Sequence, residues 1–220
     1  GCRRPPAGRT MTGRVGEGRG AGAAGARGVG DRGARSGAEG GTAPVTWREA
    51  GVAALPPGTG GQYWGFRRPS PEGGEEGGED ARRARSFAER GGRVVLSPAD
   101  AVYLDMKHDA DSRLGLVWAD GPPSLARSSA WDPATVVPGL AEDAILGVEA
   151  CMWTEKIRTP ADVDEMMFPR VASAAEAAWS ERAGSPERTW ESFRERLAGL
   201  GEGWEAAGIG FHRSAGVDWR

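Results

Sequence analysis

Four short apolar runs, each followed by a loop or by a stretch long enough to hold a helix, limit what this chain can fold into. They cover residues 44–47, 61–64, 93–97 and 144–154, and are apolar or β-branched as strands require. Between them, residues 79–90 and 132–143 can be helical, and 69–78 reads as a Gly/Glu-rich surface loop. Two later helices have clearer start signals. Thr159-Pro160 with Asp162 and Asp164 supplies an N-cap, a first-turn Pro and first-turn acids. Val163, Met166, Met167, Val171, Ala174, Ala175 and Ala178 then recur at helical spacing, with a kink expected at Pro169. Ser185-Pro186-Glu187 repeats the start signal ahead of Trp190, Phe193, Leu197 and Leu200. Strand followed by helix, several times over, predicts an α/β fold with parallel strands. Four such units make half of a (β/α)8 barrel, which needs roughly 250 residues when complete. Residues 45–220 number 176. A half barrel has two unpaired parallel edges and is not expected to be stable alone.

Composition separates the first 44 residues from the rest. They hold 14 Gly, 8 Arg and 3 acids, with no Leu, Ile, Phe, Trp or Tyr. Eight Arg against three acids give this stretch +5, so the remainder carries −8 of the overall −3. Without large apolar side chains it cannot offset its own ordering entropy, and it is expected to be disordered. Two Lys against 26 Arg, three Ile and no Asn point to GC-rich coding DNA, whose out-of-frame translation yields such Gly/Arg/Ala text. A shifted or mis-set start, or a flexible linker, is the expected origin. A basic arm for nucleic acid is the competing reading, weakened by the lack of interleaved aromatics.

Cys2 and Cys151 cannot build a disulfide framework, and both are expected to be free thiols. No run is apolar enough for a transmembrane helix, and no signal-like apolar run precedes residue 45, which leaves localisation open. His108 and His212 stand far apart in sequence with no His/Cys cluster, so no metal site and no cofactor is expected.

The strand ends carry the chemistry. Trp47 ends the first run, Tyr63 and Trp64 the second; Tyr103 and Asp105 follow the third; Trp153 and Glu155 close the fourth, and Trp118 lies in the preceding loop. Strand C-terminal ends form the active face of parallel barrels. Aromatic rings there suit the apolar faces of a sugar, and carboxylates accept hydrogen bonds from its hydroxyls. Any one of these Trp alone reads as core, and Asp105 or Glu155 alone as a turn cap or a partner of Arg158. Recurrence at the same relative place on each strand argues for a site.

These residues fall within longer motifs. Val45-Thr-Trp-Arg-Glu, Leu55-Pro-Pro-Gly-Thr and Gln62-Tyr-Trp-Gly come first, then Val94-Val-Leu-Ser-Pro-Ala and Val102-Tyr-Leu-Asp-Met-Lys. Leu116-Val-Trp-Ala, Ile145-Leu-Gly-Val-Glu-Ala-Cys-Met-Trp-Thr-Glu, Phe168-Pro-Arg and Ala175-Glu-Ala-Ala-Trp-Ser follow. In unbroken order over residues 45–220, they resemble strands five to eight and the closing helix of the β-N-acetylhexosaminidases of glycoside hydrolase family 20. The resemblance implies an exo-acting hydrolase for terminal β-linked N-acetylglucosamine or N-acetylgalactosamine. By it, Trp47, Trp64 and Trp153 wall the pocket, Tyr103 holds the acetamido oxygen, Asp105 and Glu155 hold ring hydroxyls, and Trp118 lines the leaving-group side.

The family mechanism is substrate-assisted: the sugar's own acetamido oxygen attacks, an Asp steadies it and the adjacent Glu protonates the leaving oxygen. That pair belongs to a His-x-Gly-Gly-Asp-Glu segment ahead of Trp47, which this sequence lacks; Glu142-Asp143 has the reverse order. His108 stands where the resemblance leads one to expect Tyr. These 220 residues are therefore expected to be a fragment without turnover of its own. The alternatives are a sugar-binding remnant and the nucleic-acid arm.

Overall fold

The computed structural model describes residues 43–47, 56–67, 78–118 and 121–220. The arm expected to be disordered falls outside these apart from Ala43 and Pro44, as does the 69–78 loop apart from Gly78.

Four strands, β1 (Val45–Trp47), β2 (Gly60–Tyr63), β3 (Arg93–Leu96) and β4 (Ile145–Val148), pair in sequential order, every pair parallel. The fold is α/β, part of a (β/α)8 barrel. Side-chain alternation gives the sheet two faces. Tyr63, Val94 and Leu96 are buried with Ala81, Ala84 and Phe87 of helix α1 (Gly78–Glu89). Gly61 lies under the Phe87 ring, where an added Cβ would come within 2.5 Å of it. On the opposite face Gln62 reaches Ser97 and Cys151.

The fourth run, expected to be strand over 144–154, is strand only to Val148. Pairing with β3 slips between Val94 and Val95, opposite Gly147, whose φ of +149° is glycine territory. Beyond it a single parallel bridge, Tyr103 to Cys151, continues the line of pairing. Residues 132–143 are likewise not one helix. After the single turns α2 (Ala99–Val102) and α3 (Leu125–Ser129), α4 spans only Pro133–Val136, and Pro138 and Gly139 separate it from a 3-10 turn at Glu142–Ala144.

The start signal at Thr159 produces a complete capping box on α5 (Pro160–Met167). Pro169 breaks the helix rather than kinking it: it has no N–H for the ladder, and α6 (Arg170–Trp179) begins one residue later. The reset periodicity leaves Ala175 and Ala178 exposed. Helix α7 (Trp190–Ala206) starts four residues later than Pro186 suggests, capped by Thr189. Ser185–Arg188 is instead a turn, with Arg188 reaching back to the Trp131 and Glu181 carbonyls. Phe193 and Leu197 of α7 join Leu125 and Val217 in a second core, while Leu200, expected inside, is 48 % exposed. No helix among the described residues is long and apolar enough to cross a membrane.

Candidate active site

The end of the sheet at which β1 and β2 finish is lined by an aromatic chain. Trp47 and Trp153 stand 5.6 Å apart between ring centroids, Trp153 and Tyr103 6.4 Å, and Tyr103 meets Trp118 edge-on at 5.1 Å. Trp64, Trp118 and Trp153 all pack on a buried cluster of Ala99, Tyr103, Met106 and Cys151. Trp64 extends the Gln62 face by one step of two, whereas Tyr63 points the other way into the helix-side core, its hydroxyl donating to the Phe66 carbonyl.

Each side chain has a local reason for its place. The loop after Trp64 is tied down by Asp100, which accepts from Arg67 N and Arg67 Nε, both at 3.0 Å. Below the rings, Gln62 Nε2 donates to Ser97 Oγ at 2.9 Å and to Cys151 Sγ at 3.4 Å. The Trp118 loop folds back through Gly115, whose φ is +101° and whose Cα presses against Lys107 backbone so closely that a Cβ would lie 2.6 Å from its N. The Trp153–Glu155 segment runs into the α5 cap, where Asp162 accepts from Arg158 N and Thr159 N, both at 2.9 Å. Arg113 joins the two loops through Asp162 at 2.9 Å.

Asp105, Trp153 and Glu155 line one narrow hollow with Leu116, Ile157 and Met166, too tight as it stands for a water molecule, so a hydroxyl reaches Asp105 only if its walls part. Asp105 is 3 % exposed. Its Oδ2 accepts from Trp118 Nε1 at 3.4 Å, while buried Oδ1 has no partner among the described residues. Burial drives the Asp105 carboxyl up; its backbone hydrogen bond, Trp118 and the charge of Arg170 oppose this, and the Glu155 charge adds to it. Glu155 is exposed. Arg158 donates to the Glu155 backbone carbonyl, so the alternative of an Arg158–carboxylate pair is not what forms. Burial, helped by the nearby Cys151 and Asp105, pushes the Tyr103 hydroxyl far up, so it remains a proton donor. Burial likewise takes the Cys151 thiol to about 11.

The seven residues to which the resemblance gives sugar contacts thus lie in one neighbourhood, while Tyr63, the eighth at the strand ends, does not. The sequence reading missed Gln62, and it missed Arg170. The latter left one signal: an Arg at a helix first turn, where acids are preferred, needs another reason for being there. The histidines, distant in sequence, stack with centroids 4.2 Å apart and planes within 5°. Among the described residues no group of three or more His, Cys, Asp or Glu is arranged to hold a metal.

Residues 76–182 match the glycosyl hydrolase family 20 catalytic domain. The chain belongs to glycoside hydrolase family 20. A family 20 β-N-acetylglucosaminidase of known structure superposes with a TM-score of 0.77 at 47 % identity, over 85 % of this chain and 38 % of that one. The Streptomyces plicatus N-acetyl-β-hexosaminidase in complex with thio-NAglucal gives 0.74 and 39 %, over 83 % and 34 %. The Cellulomonas fimi β-N-acetylhexosaminidase is 35 % identical over 175 residues, 80 % of this chain and 32 % of that protein. The present family 20 chain therefore spans about a third of the length of such relatives.

Proposed function

We propose that this chain supplies the sugar-holding side of an exo-acting β-N-acetylhexosaminidase site, for terminal non-reducing N-acetylglucosamine or N-acetylgalactosamine. One observation carries the reading: Asp105 Oδ1 is a buried carboxylate oxygen without a partner, in a hollow shared with Trp153 and Glu155. An unsatisfied buried acceptor costs about 1–3 kcal/mol unless something donates to it, and a ring hydroxyl is such a donor. Glu155, at the open edge, takes a second hydroxyl. Trp47, Trp64 and Trp153 offer flat apolar surface to the ring and the N-acetyl methyl, with Trp118 on the leaving-group side. Tyr103 keeps its proton and can donate to the acetamido oxygen.

That oxygen is the nucleophile in a substrate-assisted, retaining reaction: it attacks the anomeric carbon, and water later opens the cyclic intermediate with net retention. The step also needs an acid on the leaving oxygen. No His-x-Gly-Gly-Asp-Glu segment occurs in these 220 residues. Asp164-Glu165 is an Asp-Glu dipeptide, but Glu165 is paired to Arg113 at 3.2 Å. The purified chain should therefore bind without turning over. Calorimetry with N-acetylglucosamine and release of nitrophenol from its β-aryl glycoside test both halves: no heat of binding defeats the site, and turnover defeats the missing acid.

The same absence favours a second reading, a sugar-binding chain that takes no part in hydrolysis. The coding sequence immediately upstream separates them: an in-register His-x-Gly-Gly-Asp-Glu segment supports the hydrolase, and unrelated sequence supports the binding chain.

A further inference from the structure

Next to Asp105 lies a buried cation that the proposed binding scheme does not use. Arg170, at the start of α6, is 1 % exposed. Its Nη2 donates to the Leu104 carbonyl at 2.9 Å and to the Met106 carbonyl, the two that flank Asp105 in sequence. Weaker contacts at 3.5 Å reach the carbonyls of Lys107 and, within its own turn, Met166.

A guanidinium buried to this degree is far more than a helix terminus requires. Fixing α6 against the sheet could be done by apolar packing at lower desolvation cost. One terminal nitrogen, Nη2, bridges the Leu104 and Met106 carbonyls while Nη1 approaches the Lys107 carbonyl, a spread over three carbonyls of one short segment that the single nitrogen of a Lys cannot cover. We infer that Arg170 is a positioning residue for sugar binding: it clamps the carbonyls on both sides of Asp105 and so fixes where that carboxylate points. This rests on the sugar-site reading above. The charge has a second consequence. Burial lowers Arg170 to about 10, so it stays protonated at neutral pH, and the Asp105 charge holds it up. Reciprocally, Arg170 holds the Asp105 carboxyl down against burial. A group that merely filled core space would have neither effect.

The test uses the full chain as wild type, Arg170→Lys and Arg170→Met. Because Trp118 Nε1 donates to Asp105 Oδ2, the Trp118 indole N–H resonance, assigned through Trp118→Phe, reports ionisation of Asp105 without any ligand. Arg170→Met should move that midpoint up by about one pH unit, the Coulomb effect of a lost neighbouring charge, and weaken N-acetylglucosamine about tenfold. Arg170→Lys should leave the midpoint within about 0.3 units but weaken the sugar about threefold, because charge is kept while the ammonium, about one bond short of the Nη2 position, no longer holds both carbonyls. An unmoved midpoint in Arg170→Met overturns the inference whatever the sugar does. Should that variant not fold, unchanged affinity in Arg170→Lys overturns it. If wild type binds no sugar, the site reading falls with the binding role, and the resonance still decides whether Arg170 acts on Asp105.

Discussion

At Asp105 binding and stability pull in opposite directions. Its carboxylate is buried with one oxygen unpartnered, and burial raises its pKa above the ordinary carboxylate value. For a carboxyl whose folded pKa is raised, the stabilising contribution is present below the unfolded value, near about 4, and is lost as pH climbs through the folded value. At neutral pH the residue is thus a net liability to folding, retained for what it grips. Asp105→Asn keeps the shape and still accepts from Trp118, but removes the charge. Denaturant midpoints should rise relative to wild type at pH 7 and coincide with it at pH 3, while N-acetylglucosamine affinity falls about tenfold or more, the worth of a hydrogen bond to a charged group. A variant that binds like wild type would remove Asp105 from the site. Tyr103 cannot blur this experiment, since its hydroxyl stays protonated throughout that range.

Elements set how finely such residues are held, and here sequence was legible only where local chemistry decides. The α5 start was readable because Thr159, Pro160 and Asp162 cap it within four residues. The α7 start was not: Ser185-Pro186 carries the same signal, but a long-range bond from Arg188 to Trp131, with a nearer one to Glu181, holds those residues in a turn. The premature end of β4 and the Arg170 clamp depend on partners about 50 or more residues away, which no window of sequence contains. Recurrence of Trp, Tyr and acids after each strand did point to one neighbourhood, because parallel strands in sequential order must deliver their ends to one side. Two variants measure the elements themselves. Thr159→Ala removes the acceptor for Asp162 N and should lower stability by about 1 kcal/mol in denaturant unfolding, with sugar affinity falling less than threefold. Gly115→Ala forces a Cβ into Lys107 backbone at positive φ and should cost clearly more, about 2–3 kcal/mol, while also weakening sugar through Trp118. Equal effects from the two would mean that the Gly115 loop yields.

Over the whole molecule, the two histidines tie the C-terminal tail to the loop behind the site. His212 N donates to the Phe168 carbonyl, His212 Nε2 meets Asp109 Oδ2 at 3.0 Å, and its ring lies flat on His108. His108 is buried, with Nε2 at 2.7 Å from the Glu165 carbonyl. A carbonyl only accepts, so Nε2 carries the hydrogen, and the neutral ring satisfies the contact without a second proton. Burial first, then the charges of Arg170 and His212, lower the His108 pKa to about 3, against smaller opposing effects of the Glu165 carbonyl and Asp109. The unfolded chain takes up that proton near pH 6.5 and the folded chain only near 3, so stability falls as pH drops through this window. The loss reaches on the order of 4 kcal/mol at its lower end. His108→Tyr places an uncharged aromatic ring against His212 and removes the linkage. Unfolding free energies at pH 7, 5 and 4 should therefore decline less steeply in the variant than in wild type, with the gap widening toward acid. Parallel declines would show that His108 is already protonated in the folded chain, and that the stacked pair is not what makes this molecule sensitive to acid.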